Sequence, residues 1–210
     1  YYSTMMLSKE DKKKLKKLNT AKCNPIKGID KTLFVLNKEK NEEMPPTLGY
    51  KLALNDEQLK SCMQIFEDNM TDLYQQSSWG LNLIEKREEL LHSDARYLIV
   101  TAKEKIIGFC HFRFDVNDDD EPTEPVVYVY ELQVISAYQR YGIGRRLMEI
   151  IHLIAKQAEL SKVMLTVFHN NRSAAKFYEK LGYSADETSP NTLGIEEDYD
   201  ILSRSNIKST

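Results

Sequence analysis

The chain lacks the cysteine pattern that would staple or metallate it. Cys23, Cys62 and Cys110 are odd in number and far apart. They form neither a disulfide framework nor a metal spacing, which points to a reducing compartment. The four histidines (His92, His111, His152 and His169) also lack metal spacing and read as structural, so no metal is expected. There is no Ser-His-Asp order and no nucleophilic cysteine signature; Cys110 falls within a strand-like run and is expected to be buried. Long apolar runs are missing too. Tyr97 to Val100 and Val163 to Phe168 are only strand-length, so no membrane span is expected and no signal peptide is visible. Internal repeats and low-complexity tracts are absent. So is a basic excess: the formal net charge of −3 argues against a general nucleic-acid binder and suits a cationic partner. What remains is an ordinary globular balance, 41% hydrophobic and 29% charged. Its 210 residues suffice for one domain with a substantial core.

The start is lysine-rich. "KEDKKKLKKL", residues 9–18, has only Leu15 and Leu18 as an apolar face. It reads as a solvated helix or frayed arm, with a nuclear-import or substrate-binding patch as the alternative. "MPPTLGY", residues 44–50, reads as an extended turn and junction, because Pro-Pro cannot enter a helix interior. A helix capped by Asn55 or Asp56 follows. Leu59, Met63, Phe66, Met70 and Leu73 recur along it at helical spacing, and it breaks near Gly80. In a second helix, "NLIEKREELLH", Glu85 and Glu89 sit four apart, as do Lys86 and Leu90.

Beyond that helix the period changes. "RYLIVTA" and "KIIGFCHFRFDV", divided by the turn "KEK", predict a hairpin. An acidic, proline-bearing loop, "NDDDEPTEP", leads to the strand "VVYVYELQVI". A helix over about Ile143 to Glu159, a strand "KVMLTVF", a short helix "NRSAAKFYEKLG" with Gly182 just past its end, and a last strand "YDILSR" complete the chain. This order predicts an α/β fold: a mixed, mostly antiparallel central sheet with helices on both faces.

One stretch invites chemistry. "QRYGIGRRLMEII", residues 139–151, is a strand-to-helix loop carrying Gly142 and Gly144. Such a loop aims bare backbone N–H groups and a positive helix terminus at one spot, which suits a phosphate. The dinucleotide fingerprint would need glycine at 147, where Leu147 stands. The NTPase loop would need Lys and Ser/Thr after Gly144, where Arg145 stands. Two glycines alone favour a plain turn.

The motif has company. Gln139-x-x-Gly142-x-Gly144 after a strand, with "HNNRSAAKFYEKLGY" downstream, resembles the paired signatures of the GCN5-related N-acetyltransferase (GNAT) superfamily. That resemblance covers roughly residues 50–204 and implies the acetyltransferase fold with acetyl-CoA as cofactor. A narrower one rests on "LYQQSSWG", "HFRFDV", "VYVYELQV", "KVMLTVFHNN" and "YDILSR" in that order. It is to the N-α-acetyltransferase D type, which acetylates the Ser-Gly-Arg-Gly amino terminus of histones four and two-A. The resemblance implies a lysine-rich arm or strap over 1–45, an acetyltransferase domain over 46–205 and a tail over 206–210. It also implies histone amino-terminal tails as peptide substrate, no direct nucleic acid or membrane partner, no auxiliary subunit, and work in nucleus and cytoplasm. The D type carries an acidic residue soon after "FDV"; here Asn117 stands there, before Asp118, Asp119 and Asp120. That acidic turn, through Glu121, would attract an arginine-rich tail.

The implied reaction is direct transfer from thioester to amine, which needs a neutral amine and a stabilised oxyanion and thiolate. An α-amine, with a pKa near ~8, is far easier to neutralise than lysine near ~10.4. Glu131 is the first candidate base, against an outward strand carboxylate; Asp115 is the second candidate, as base partner or substrate anchor, against a strand-ending turn residue. Tyr128 and Tyr130 share one strand face, as core packing or as the wall of a peptide slot. Tyr130 competes with Tyr178 as proton donor to the departing sulfur. The resemblance places Tyr74 and Trp79 against the first substrate residues and Tyr199 on the slot's other side. Main-chain groups of Leu132 and Val134 would meet pantetheine. Gln139, Arg140, Tyr141, Gly142, Ile143, Gly144 and Arg145 would hold the pyrophosphate, with Arg146 near the terminal phosphates, and Asn171 would touch the cofactor's far arm. The rivals are a lysine or small-amine acetyltransferase of the same fold and a non-catalytic acetyl-CoA or histone-tail binding module.

Overall fold

The computed structural model describes residues 8–20, 46–117 and 124–206. The acidic turn from Asp118 to Glu121 and most of the arm, 21–45, lie outside the described residues.

The first helix, α1 (Lys9–Thr20), is docked. Leu15 and Leu18 pack on the core, and Lys14 Nζ donates to the Glu159 carbonyl at 2.6 Å. A strand, β1 (Thr47–Lys51), comes next, where the sequence suggested only a turn. Pro45 and Pro46 precede it rather than interrupt it, and it takes an edge position, where missing donors are tolerated. The next helix, α2 (Asp56–Gln75), begins at a capping box. Asn55 accepts from the Gln58 N–H, and the Gln58 side chain accepts from the Asn55 N–H. Its inner face buries Leu59, Cys62, Ile65 and Phe66. A short helix, α3 (Leu83–Leu90), is capped by Asn82 and turns Lys86 and Leu90 inward.

Seven longer elements and one short strand complete the fold. β2 (Arg96–Ala102) and β3 (Lys105–Asn117) form the expected hairpin. β4 (Glu124–Val134) lies beside β3. α4 (Ile143–Gln157) buries Ile143, Leu147, Met148, Ile150, Ile151, Ile154 and Ala155, an unbroken stripe at helical period. β5 (Lys162–Phe168) precedes α5 (Arg172–Lys180), and Gly182 ends that helix region at φ +83. A two-residue strand, β6 (Ser184–Ala185), which gives no sequence signal of its own, pairs with β7 (Tyr199–Ser205). The sheet order is β1-β2-β3-β4-β5-β7-β6, antiparallel everywhere except at β4–β5. The α1, α4 and α5 side chains pack on one face, those of α2 and α3 on the other.

Two irregularities in this sheet make the site. The parallel β4–β5 pairing covers only Val127–Val129 against Val163–Leu165, after which the strands part. Between His111 and Phe112 the β3–β4 register shifts, leaving Tyr130 without an opposite residue. Such a bulge turns two consecutive side chains to the same face.

Candidate active site

A cleft of about 1110 Å³ opens where β4 and β5 separate. Its wall along β4 is main chain. The Ile135 N–H donates to the Ile107 carbonyl at 2.9 Å, so Ile135 faces β3. By the alternation of an antiparallel ladder, the main-chain groups of Leu132 and Val134 then face the gap that β5 has left. The Val134 carbonyl already accepts from Gln139 Nε2 at 2.9 Å and Asn69 Nδ2 at 3.1 Å. That leaves the Val134 N–H, together with the Leu132 groups, for a ligand.

Past β4 the chain crosses the cleft end as a loop and enters α4. The two glycines serve different ends there. Gly142 sits at φ +84, in the left-handed region, with no atom near the place of a Cβ. Gly144 has ordinary backbone angles, but a Cβ would stand 3.3 Å from the Phe177 ring, itself part of the cleft lining, so that ring would have to shift. No side chain caps α4, so its first N–H groups remain available to an anion. Arg140, at φ +68, and Arg145 line the cleft with Gln139 and Ile143. Tyr141 does not line it, and Arg146 is turned to an ion pair with Glu149. Asn171 lines the far side while its Oδ1 accepts from the Ala174 N–H at 3.1 Å and so caps α5.

The other end is built of buried charge. Glu131 is 5% exposed. Its Oε1 accepts from Lys86 Nζ at 2.8 Å and its Oε2 from Gln133 Nε2 at 2.7 Å. Gln133 is oriented in turn, since its Oε1 accepts from Asn69 Nδ2 at 3.0 Å. The same Lys86 ammonium lies 2.8 Å from Glu89 Oε1. Burial drives the Glu131 carboxyl upward; Lys86 opposes this, and the net direction is up. For Lys86, burial works to lower the value, but Glu131 and Glu89 outweigh it and the ammonium holds its proton well above the usual range. Beside them His111 is fully buried, stacked between Tyr97 and Tyr130 with ring centres 5.1 Å away on each side. Burial pushes His111 down to about 4 despite Glu89 nearby, so the ring is neutral. Its Nε2 accepts from Arg113 Nε at 3.4 Å, and the Arg113 guanidinium lies 4.2 Å from the Tyr130 ring centre.

The tyrosines close this end. Tyr128 and Tyr130 do share a face, with ring centres 5.2 Å apart. Strict alternation would have put Glu131 on the opposite face, and the bulge brings it to the same one. The Tyr130 hydroxyl donates to Asp115 Oδ2 at 2.8 Å, and the Tyr128 and Thr166 hydroxyls are 2.5 Å apart. Asp115 does not line the cleft; it stands behind Tyr130. Tyr74, Trp79, Phe168 and Tyr199 form a cluster with ring centres 5.0–6.4 Å apart. Tyr199 begins β7 and packs on Trp79, but it does not itself line the cleft. The Trp79 loop is tied across the opening, since Asp198 accepts from the Ser78 N–H at 2.5 Å and from Ser78 Oγ at 3.0 Å. Tyr178 lines the cleft from α5, and its hydroxyl has no hydrogen-bond partner among the described residues. Burial holds that phenol above its usual range, so it keeps its proton.

The sequence passed over Lys86, Glu89, Thr166 and Phe168, all of which line the cleft. One signal was present: Lys86 lies four residues before Leu90, on the inward stripe of α3.

A cleft at a parting sheet, with uncapped amides at one end and a buried carboxylate at the other, can seat an anionic carrier and take a proton from a second molecule. The acetyltransferase (GNAT) family profile matches residues 59–183, and the chain belongs to that family. Among its relatives, N-alpha-acetyltransferase 40 of Saccharomyces cerevisiae is 29% identical over 168 residues, 68% of this chain and 58% of that protein. Mycothiol acetyltransferase of Corynebacterium diphtheriae is 38% identical over 98 residues, 46% of this chain and 31% of that protein. The chain thus spans less than two thirds of the length of either relative. In fold it is similar to Arabidopsis thaliana NAA60, crystallised with a bisubstrate analogue, at a TM-score of 0.57 and 16% identity over 76% of this chain and 98% of that one.

Proposed function

We propose that this protein is an acetyl-CoA-dependent N-α-acetyltransferase that acts on a Ser-Gly-Arg-Gly amino terminus of the histone type. The observation that carries the reading is the tied aromatic slot. Tyr74 and Trp79 line the cleft, Tyr199 backs Trp79 from β7, and the Ser78–Asp198 bonds hold the Trp79 loop in place, a fixed aromatic wall that suits a chain end. The residues present fit acetyl-CoA. Leu132 and Val134 offer main-chain partners to pantetheine, and the bare backbone from Gly142 to Gly144, with Arg140 and Arg145, suits its phosphates.

When bound, acetyl-CoA supplies an activated carbonyl and a thiolate leaving group. The chain's own residues do the rest. Glu131 takes the proton of the amine at a carboxylate oxygen, directly or through water. Because an α-ammonium already lies near ~8, a modestly basic carboxylate is sufficient. Tyr178, a free phenol in the cleft, returns a proton on the thiolate side; the Tyr130 proton is engaged by Asp115. Asp115 thus orients Tyr130 as a wall of the slot. No auxiliary subunit is invoked in this reading.

Mass spectrometry after incubation with acetyl-CoA tests it. A Ser-Gly-Arg-Gly peptide is expected to gain one acetyl group on its first nitrogen, and the same peptide with a blocked amine and free lysines to gain none. Acetylation of lysine or of small amines instead would favour the rival acceptor. Binding without transfer would favour a non-catalytic module.

A further inference from the structure

We propose that Lys86 is the positioning residue for Glu131: its ammonium, 2.8 Å from both Glu131 and Glu89, keeps a buried carboxylate ionised and fixed in the wall of the cleft. This rests on the acetyl-transfer reading, in which Glu131 takes the proton of the amine.

The geometry is specific. Lys86 comes from a different element than Glu131, is only 7% exposed, and lies 4.9 Å from the Phe66 ring centre and 5.7 Å from that of Tyr74. An ammonium so placed is removed from water and belongs to its carboxylates. The other groups facing Glu131 cannot replace it. From β3, His111 is neutral and Cys110 is a buried thiol. Arg113 spends its guanidinium on Tyr130, His111 and the Glu89 carbonyl. From α2 come Asn69 and Tyr74, from β4 Gln133 and Tyr130, and from α5 Tyr178, all uncharged. Lys86 alone balances two carboxylates, the buried Glu131 and the partly exposed Glu89, leaving the trio one negative charge in excess. An incoming ammonium compensates that charge. Without Lys86, two like charges would stand close together, and Glu131, the more buried of the two, would bind a proton. A protonated Glu131 donates instead of accepting and cannot serve as base.

The test compares Lys86→Met, Lys86→Arg and Glu89→Gln in the whole chain. In Lys86→Met the acid limb of kcat against pH should move about one unit or more toward alkaline pH, with acetyl-CoA affinity kept within about twofold. Lys86→Arg should restore the limb. Glu89→Gln should move it the opposite way, because Lys86 then serves Glu131 alone. Infrared spectra of protein carrying isotope-labelled glutamate give a readout independent of turnover. Lys86→Met should show a protonated carboxyl band at neutral pH that disappears when Glu131→Gln is added. Limbs that stay in place in all three variants, or a loss equal at every pH, overturn the proposal. So does a carboxyl band that is absent or that survives Glu131→Gln. If Lys86→Met does not fold, the other two variants carry the test: Lys86→Arg should leave the limb in place and Glu89→Gln should move it toward acid pH. If the wild-type chain transfers acetyl to no amine, the parent reading falls, while the infrared band still decides what Lys86 does.

Discussion

The two ends of the cleft are made of different material. At the α4 end the working groups are main chain: the N–H of Val134, the groups of Leu132 and the first amides of an uncapped helix. At the other end they are side chains from α2, α3, β3 and β4 gathered around two carboxylates, Glu131 and Glu89. The first end needs residues that stay out of the way, and the second needs residues that meet. Damage to the first should therefore appear as lost cofactor affinity, and damage to the second as lost turnover or altered pH response.

The largest effect should come from the charged end. Glu131→Gln is expected to lower kcat by about 100- to 10,000-fold, the usual range for a general base. Acetyl-CoA affinity, followed by titration calorimetry, should hardly change. An equal fall in both would erase the contrast between the two ends. Next comes the converse. Gly144→Val should shift Phe177 in the cleft lining and weaken acetyl-CoA binding by about 1–3 kcal/mol, a typical overpacking cost. Turnover at saturating cofactor should be largely kept.

The third effect concerns stability. The His111 ring titrates near 6.5 when unfolded but is held down to about 4 in the fold. Between those values the unfolded chain binds a proton that the native chain refuses, so stability present at neutral pH is lost as the pH falls through that window. The loss should amount to about 1–3 kcal/mol, read from melting curves across the window. His111→Phe, which keeps the stack on Tyr97 and Tyr130, should flatten that part of the profile. The smallest effect is at the slot. Asp198→Ala removes two exposed hydrogen bonds worth about 1 kcal/mol each. It should lower the ratio of α- to ε-amine acetylation several-fold while cofactor binding is unchanged.

The same contrast explains what the sequence disclosed. The α4 end is local: a strand, two glycines and an apolar stripe, all within thirty or so residues, so the loop was legible from its pattern, whereas Leu132 and Val134 were named through the family resemblance. The charged end is assembled across the chain. Lys86 lies 45 positions from Glu131, and only its place on the Leu90 stripe hinted that it faces inward. His111 carries no motif; its meaning comes from the rings above and below it. The bulge that turns Glu131 beside Tyr130 leaves no mark in the run Val127–Glu131, because an extra residue on one strand shows only against its partner. The elements themselves read well where periodicity was long, as in α2 and α4. β1 and β6 escaped because short edge strands take their form from the neighbour they pair with.

Trp79 is the chain's single tryptophan, and it stands half exposed among Tyr74, Phe168 and Tyr199. All indole emission from this protein therefore originates at the slot mouth, and neighbouring phenols can pass excitation to it. On the proposed reading, a peptide that enters would displace water from that ring and shift its spectrum, a built-in optical gauge of acceptor occupancy.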